Sequence, residues 1–87
     1  MDTVTDLYRF AQLARITMSE ACQMPGCPTN RSVSRWHTKG LEPNHGKFLA
    51  VRDALIELAD DRGTLPVTDI DQAKRLGLKK LIERMKK

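Results

Sequence analysis

TMSEACQMPGCPTNRSVSRWHTKG, residues 17–40, is the stretch of the chain that decides the fold. It opens with Thr17 and Glu20, spaced as a capping box, in which each side chain accepts a backbone N–H at the start of a helix. Pro25 and Gly26 then end this helix, and Gly26 can take the positive φ that a sharp reversal of the chain requires. The first half of the stretch therefore predicts a short helix followed by a tight turn.

The second half of the stretch predicts another helix. It begins at Thr29, because Pro28 before it cannot donate a backbone hydrogen bond and belongs to the turn. It ends at Gly40, a residue that suits a C-terminal cap. Val33 and Trp36, three residues apart, share one face and anchor the helix against the core. Two short helices joined in this way predict a helix-turn-helix.

The opposite face of this second helix carries the residue types that read DNA. Arginine donates in a fork to guanine, and asparagine both donates to and accepts from adenine. The helix N-terminus at residues 29–31 attracts phosphate, and Lys39 and Lys47 flank the following loop, where they can hold the DNA backbone. The predicted base-reading residues are Asn30, Arg31, Ser34 and Arg35.

Three further segments have helical periodicity, and none alternates with the period of a strand for long. Residues 6–15 place Leu7, Phe10, Leu13 and Ala14 on one side, with Thr3 or Thr5 as the cap. Residues 44–61 carry a wide apolar stripe. A last segment begins at Thr68, with Asp71 completing a capping box, and contains Gly77, where a bend or break is possible. We therefore expect an all-α fold of about five short helices.

Two basic blocks flank an acidic one. Residues 21–47 have a net charge of +3 and residues 72–87 of +6, whereas residues 48–71 have −4, in a chain whose total is +4. Basic blocks indicate a polyanionic partner, although they also serve as solubilising surface. The acidic N-terminus has no apolar signal region, and no apolar run is long enough to span a membrane. We therefore expect a cytoplasmic, nucleoid-associated protein without a membrane partner.

Metal binding and catalysis have little support. The spacing of Cys22 with Cys27 and of His37 with His45 matches no standard zinc finger, and we expect reduced thiols. No pattern of nucleophile, base and orienting residue is visible, and no glycine-rich phosphate loop occurs. We therefore expect no metal, no cofactor and no enzymatic activity.

Residues 10–15, 17–22, 26–27 and 32–36, followed by Gly40, Pro43 and residues 49–51, form a pattern that is found in one known family. Through these residues the span from Phe10 to Leu55 resembles the lambda-repressor-like, Cro/XRE-type helix-turn-helix family. By this resemblance the base-reading positions fall on Asn30, Arg31 and Arg35, with Thr29 and Ser32 near phosphates. A longer turn, with Pro28 as the extra residue, departs from the family.

The second position of the first helix of the motif also departs from the family, in which this residue is often a glutamine that contacts phosphate. It is Met18 in this chain, so Thr17 and Ser19 are the expected backbone contacts of that helix. A weaker likeness, from Ser32 to Val51, is to the CII-type phage activators. That likeness implies an oligomerisation role for the C-terminal helix.

We expect residues 1–63 to form the DNA-binding domain and residues 64–87 to form a linker and a basic amphipathic helix. This helix can pair two chains, touch DNA phosphates or cover the core. Because most soluble oligomers are symmetric, a second copy is the simplest cover for its apolar stripe, and truncation after Thr68 is expected to leave a folded monomer. The stripe consists of Leu78, Leu81, Ile82 and Met85.

Together these patterns predict a sequence-specific transcription regulator, a repressor or dual regulator of a phage, plasmid or bacterium. It is expected to bind an inverted-repeat operator in double-stranded DNA as a homodimer or higher homo-oligomer. The alternative is a small assembly or adaptor subunit, for packaging or partition, whose helix-turn-helix nucleates a complex.

Overall fold

The computed structural model describes residues 3–40 and 44–86. Over these ranges the chain is all-helical and contains no strand, which confirms the predicted all-α class. None of the described helices is long and apolar enough to cross a membrane. The helices are α1 (Val4–Ala14), α2 (Met18–Cys22), α3 (Asn30–Lys39), α4 (His45–Arg62), α5 (Ile70–Leu76) and α6 (Leu78–Met85).

The first helices begin at the residues that the sequence indicates. At α1 the Thr3 hydroxyl accepts the Asp6 N–H at 3.3 Å, and the Asp6 carboxylate accepts the Thr3 N–H at 2.9 Å. Thr17 and Glu20 form the same reciprocal pair at α2, at 3.2 and 3.1 Å, as predicted. Each pair satisfies two N–H groups that a helix start leaves without a partner.

The C-terminal region differs from the prediction at its caps. α5 begins after Asp69, whose side chain accepts the Asp71 N–H at 3.0 Å, so the predicted capping box of Thr68 with Asp71 is wrong. Asp69 takes this place because its carboxylate is one residue closer to the free N–H groups of α5. Gly77, with φ 86° and ψ 164°, separates α5 from α6 in a conformation essentially restricted to glycine. The described chain therefore has six helices rather than five.

One hydrophobic core joins the helices, and α1 packs against α3, α4 and α6. Leu13, predicted to be in the core, is 37% exposed, because it lies away from the line of Leu7 and Phe10 on α1. The largest fully buried side chains of the core are Phe10, Leu7, Leu55, Ile56, Leu78, Leu81, Val33 and Val51.

The apolar stripe of α6 belongs to this core. Leu78 and Leu81 are fully buried and Ile82 is 4% exposed, and α6 packs more extensively on α1 than on α5. Met85 is half-buried against the same cluster. The surface from which a dimer was expected is thus covered within the chain, which is one of the roles predicted for this helix.

Candidate nucleic-acid interface

The start of α3 is held by two hydroxyl side chains. The Thr29 hydroxyl caps the helix by accepting the Ser32 N–H at 3.2 Å, and the two hydroxyl oxygens lie 3.1 Å apart. Thr29 is exposed, whereas Ser32 is half-buried. Of the two predicted phosphate contacts at this helix start, Thr29 is therefore the more accessible.

The anchoring of α3 follows the predicted pattern only in part. Val33 is fully buried, but Trp36 is half-buried and packs at the margin of the core. Packing of α3 against the core therefore depends mainly on Val33. The four predicted base-reading side chains, Asn30, Arg31, Ser34 and Arg35, are all exposed.

These four residues do not all point in the same direction. With about 100° per residue, Arg31, Arg35 and Thr38 fall along the line of α3 that faces away from Val33, whereas Asn30 lies toward one flank. We call the line of Arg31, Arg35 and Thr38 the outer face of α3. Ser34 lies between this face and the flank of Asn30.

Thr38 was not predicted from the sequence, although its spacing from Arg31 and Arg35 identifies it. Its hydroxyl donates to the Ser34 carbonyl at 2.9 Å, so its hydrogen is used within the helix. The methyl group is then the part of Thr38 that suits contact with DNA, and threonine methyl groups pack against the methyl of thymine.

A ring contact fixes α3 against α1. The rings of Tyr8 and His37 lie 4.7 Å apart between centroids and are tilted by 44°. Burial, with a smaller effect from the Cys22 thiol, raises the pKa of Tyr8, so its hydroxyl stays neutral. Sequence reasoning missed this contact, because Tyr8 lies far from His37 along the chain.

The first helix of the motif is positioned from α4. Arg62 donates to the Arg15 carbonyl at 2.8 Å and forms an ion pair with Glu20 at 2.9 Å. The hydrogen bond from Arg62 and the capping N–H of Thr17 lower the pKa of Glu20, and the same bond raises the pKa of Arg62. Arg62 thus joins the last turn of α4 to the start of α2.

The predicted contacts on α2 differ in availability. The Thr17 hydroxyl already accepts the Glu20 N–H at 3.2 Å, although the residue is exposed. Ser19, the second residue of α2, is exposed, whereas Met18 is buried beneath the helix. Ser19 is therefore the freer of the two candidates for a phosphate contact.

The two cysteines lie at the end of α2 and in the turn that follows it. Cys27 donates its thiol to the Ala50 carbonyl at 3.4 Å, which ties the turn to α4, and Gly26 has a φ of 83°. Burial raises the pKa of the Cys22 and Cys27 thiols, and neither forms a disulfide. Within residues 3–40 and 44–86, no group of three or more His, Cys, Asp or Glu side chains is placed to hold a metal.

Two lysines extend the positive charge of α3. Lys39 is exposed in its last turn, and Lys47 is exposed in the first turn of α4. α3 itself contains no acidic residue. Pro43, which belongs to the family resemblance, lies outside the described residues, as do the other residues of 41–43.

Comparison of the chain with protein-family models, curated proteins and solved structures finds no match. The family resemblance of residues 10–55 therefore stays a prediction from the residues themselves.

Proposed function

We propose that the protein binds double-stranded DNA in a sequence-specific manner by inserting the outer face of α3 into the major groove. The observation that carries this proposal is the contrast between Val33, which is fully buried, and the exposed Arg31 and Arg35. Among the described residues neither arginine side chain has a hydrogen bond or an ion pair. Both guanidinium groups are thus available on a fixed helix to donate in a fork to guanine.

The backbone contacts of this complex come from both sides of α3. Thr17 and Ser19 lie at the start of α2, and Thr29 lies at the start of α3. Lys39 is the last residue of α3, and Lys47 lies in the first turn of α4. Half or more of the hydrogen bonds in protein–DNA complexes go to the backbone and set the register of the helix. Ser32 makes a lesser contribution, since it is half-buried.

The biological role that fits such a domain is a small cytoplasmic transcription regulator on an inverted-repeat operator. Two copies bound to two half-sites gain affinity through effective concentration. Because the apolar stripe of α6 is used within the chain, we propose that the two copies meet mainly when DNA holds them side by side.

Selection of bound sites from random duplex DNA tests the proposal. We expect one short enriched motif, present as an inverted repeat if two copies bind together. The double variant Arg31→Ala/Arg35→Ala removes the proposed base contacts. It should lose the enrichment while keeping its helical content. Recovery of random sequences by the unmodified protein would contradict sequence-specific binding.

A further inference from the structure

A second basic surface lies on α6, outside the helix-turn-helix. Lys80 and Arg84 are exposed, one helical turn apart, and neither side chain has a hydrogen bond or an ion pair among the described residues. Lys86, just beyond the helix, is also exposed, but it lines a cleft with Asp6 and Glu83, on the side of α6 that faces α1. Glu83 is the one acidic residue of α6, so the face has a net positive charge. We call Lys80 and Arg84 the α6 surface.

The neighbouring cations are engaged within the chain. Lys79 lies 3.7 Å from the Asp6 carboxylate on α1, and Lys74 lies 3.9 Å from Glu57 on α4. Arg75 donates to the Asp71 carbonyl at 3.4 Å. The cations of the α6 surface therefore differ from these neighbours in having no structural role that the contacts reveal.

The α6 surface is separate from the outer face of α3. Both helices pack on α1, but α3 meets it at Tyr8, whereas α6 meets it at Asp6, and Arg9 borders a shallow cleft with α6. Asp6 and Arg9 lie about 160° and 100° around the helix from Tyr8, at about 100° per residue. The two basic surfaces thus lie on different flanks of α1.

We propose that the α6 surface is a second, sequence-independent contact to the DNA backbone, which binds phosphates outside the segment that α3 reads. This inference rests on the proposed function of α3. Charge complementarity selects DNA as the occupant, since Lys80 and Arg84 are exposed, flexible cations whose side chains have no partner among the described residues. Its position away from α3 means that it acts on flanking DNA.

Binding to DNA of two lengths tests this surface. The unmodified protein should bind a selected site with long flanks more tightly than the same site without flanks. Lys80→Gln/Arg84→Gln should remove that advantage, and Lys74→Gln/Arg75→Gln, with the same change in charge, should keep it. Circular dichroism of both variants verifies that they fold.

The salt dependence provides the magnitude. Loss of two phosphate contacts should reduce the slope of log affinity against log salt by about 1.8. Over a fourfold rise in salt, the unmodified protein should then lose about 12-fold more affinity for the long DNA than Lys80→Gln/Arg84→Gln loses. Equal slopes, or equal affinity of the unmodified protein for short and long DNA, would overturn the proposal and leave an acidic protein surface as the occupant.

The test separates the two proposals. If the unmodified protein enriches a motif but the α6 variant matches it at every DNA length, only the role of the α6 surface fails. If no motif is enriched while Lys80→Gln/Arg84→Gln still weakens binding to long DNA, the role of α3 fails and the α6 surface stands.

Discussion

Removing α6 should unfold the protein, because three of its side chains belong to the core. Leu78 and Leu81 are fully buried and Ile82 is 4% exposed. Burial of one such side chain contributes about 1.5–3 kcal/mol, so the three together contribute about 4.5–9 kcal/mol. At about 0.05–0.15 kcal/mol per residue, a chain of 87 residues has a free energy of unfolding of about 4–13 kcal/mol.

The stability contributed by α6 is therefore comparable to the whole free energy of unfolding, and a chain truncated after Thr68 should not fold. The point variant Leu81→Ala should lower the free energy of unfolding by about 2–5 kcal/mol. Glu83→Ala, on the exposed side of the same helix, should change it by less than about 0.5 kcal/mol.

Urea unfolding followed by far-ultraviolet circular dichroism measures these effects. The truncated chain should show little helix and no cooperative transition, and Leu81→Ala should shift the midpoint with an unchanged slope. A truncated chain with a cooperative transition would refute the reasoning and would restore residues 64–87 as an appendage of an independent domain.

Three further predictions concern the motif and its supports. Lys39→Ala and Lys47→Ala should each weaken binding to all DNA alike and reduce the salt slope by about one, and an unchanged slope in both would contradict a phosphate role. Gly77→Ala should lower the free energy of unfolding by about 1–3 kcal/mol in urea titration, because the φ of 86° and ψ of 164° there are essentially limited to glycine. The hydrogen bond from Arg62 lowers the pKa of Glu20. The stability that the Arg62–Glu20 ion pair contributes is therefore present above the ordinary pKa of glutamate and is lost as the pH falls through the lowered pKa. The urea midpoint of the unmodified protein should therefore fall more steeply than that of Glu20→Gln at acid pH, and parallel curves would show that the pair adds nothing.

The sequence predicts the local features of this fold well, because they depend on residues close together in the chain. The capping box of Thr17 with Glu20, the burial of Val33 and the end of α3 at Gly40 all follow from spacings of three to seven residues. The exposure of the four predicted base-reading residues follows from the same helical periodicity.

The contacts that the sequence does not reveal join residues far apart in the chain. The partner of the α6 stripe is α1, so an apolar face that suggested a dimer is satisfied within one chain. Arg62, at the end of α4, contacts Arg15 and Glu20, which lie more than 40 residues earlier in the chain. No local pattern distinguishes Arg62 from a solvated arginine. Leu13 has helical spacing but is 37% exposed, because the width of the covered face depends on the helices packed against α1 and not on the local pattern.

Binding of Arg35→Ala to a selected site and to random duplex DNA tests the central claim most directly. The exposed guanidinium of Arg35 lies on the outer face of α3, where one forked contact to guanine is worth about 1–3 kcal/mol of discrimination. Lys39→Ala is the matched control, expected to weaken both complexes equally. The account predicts that Arg35→Ala loses about 5- to 150-fold in affinity for the selected site and little for random DNA. Equal losses on both would contradict it and would reduce Arg35 to a phosphate contact.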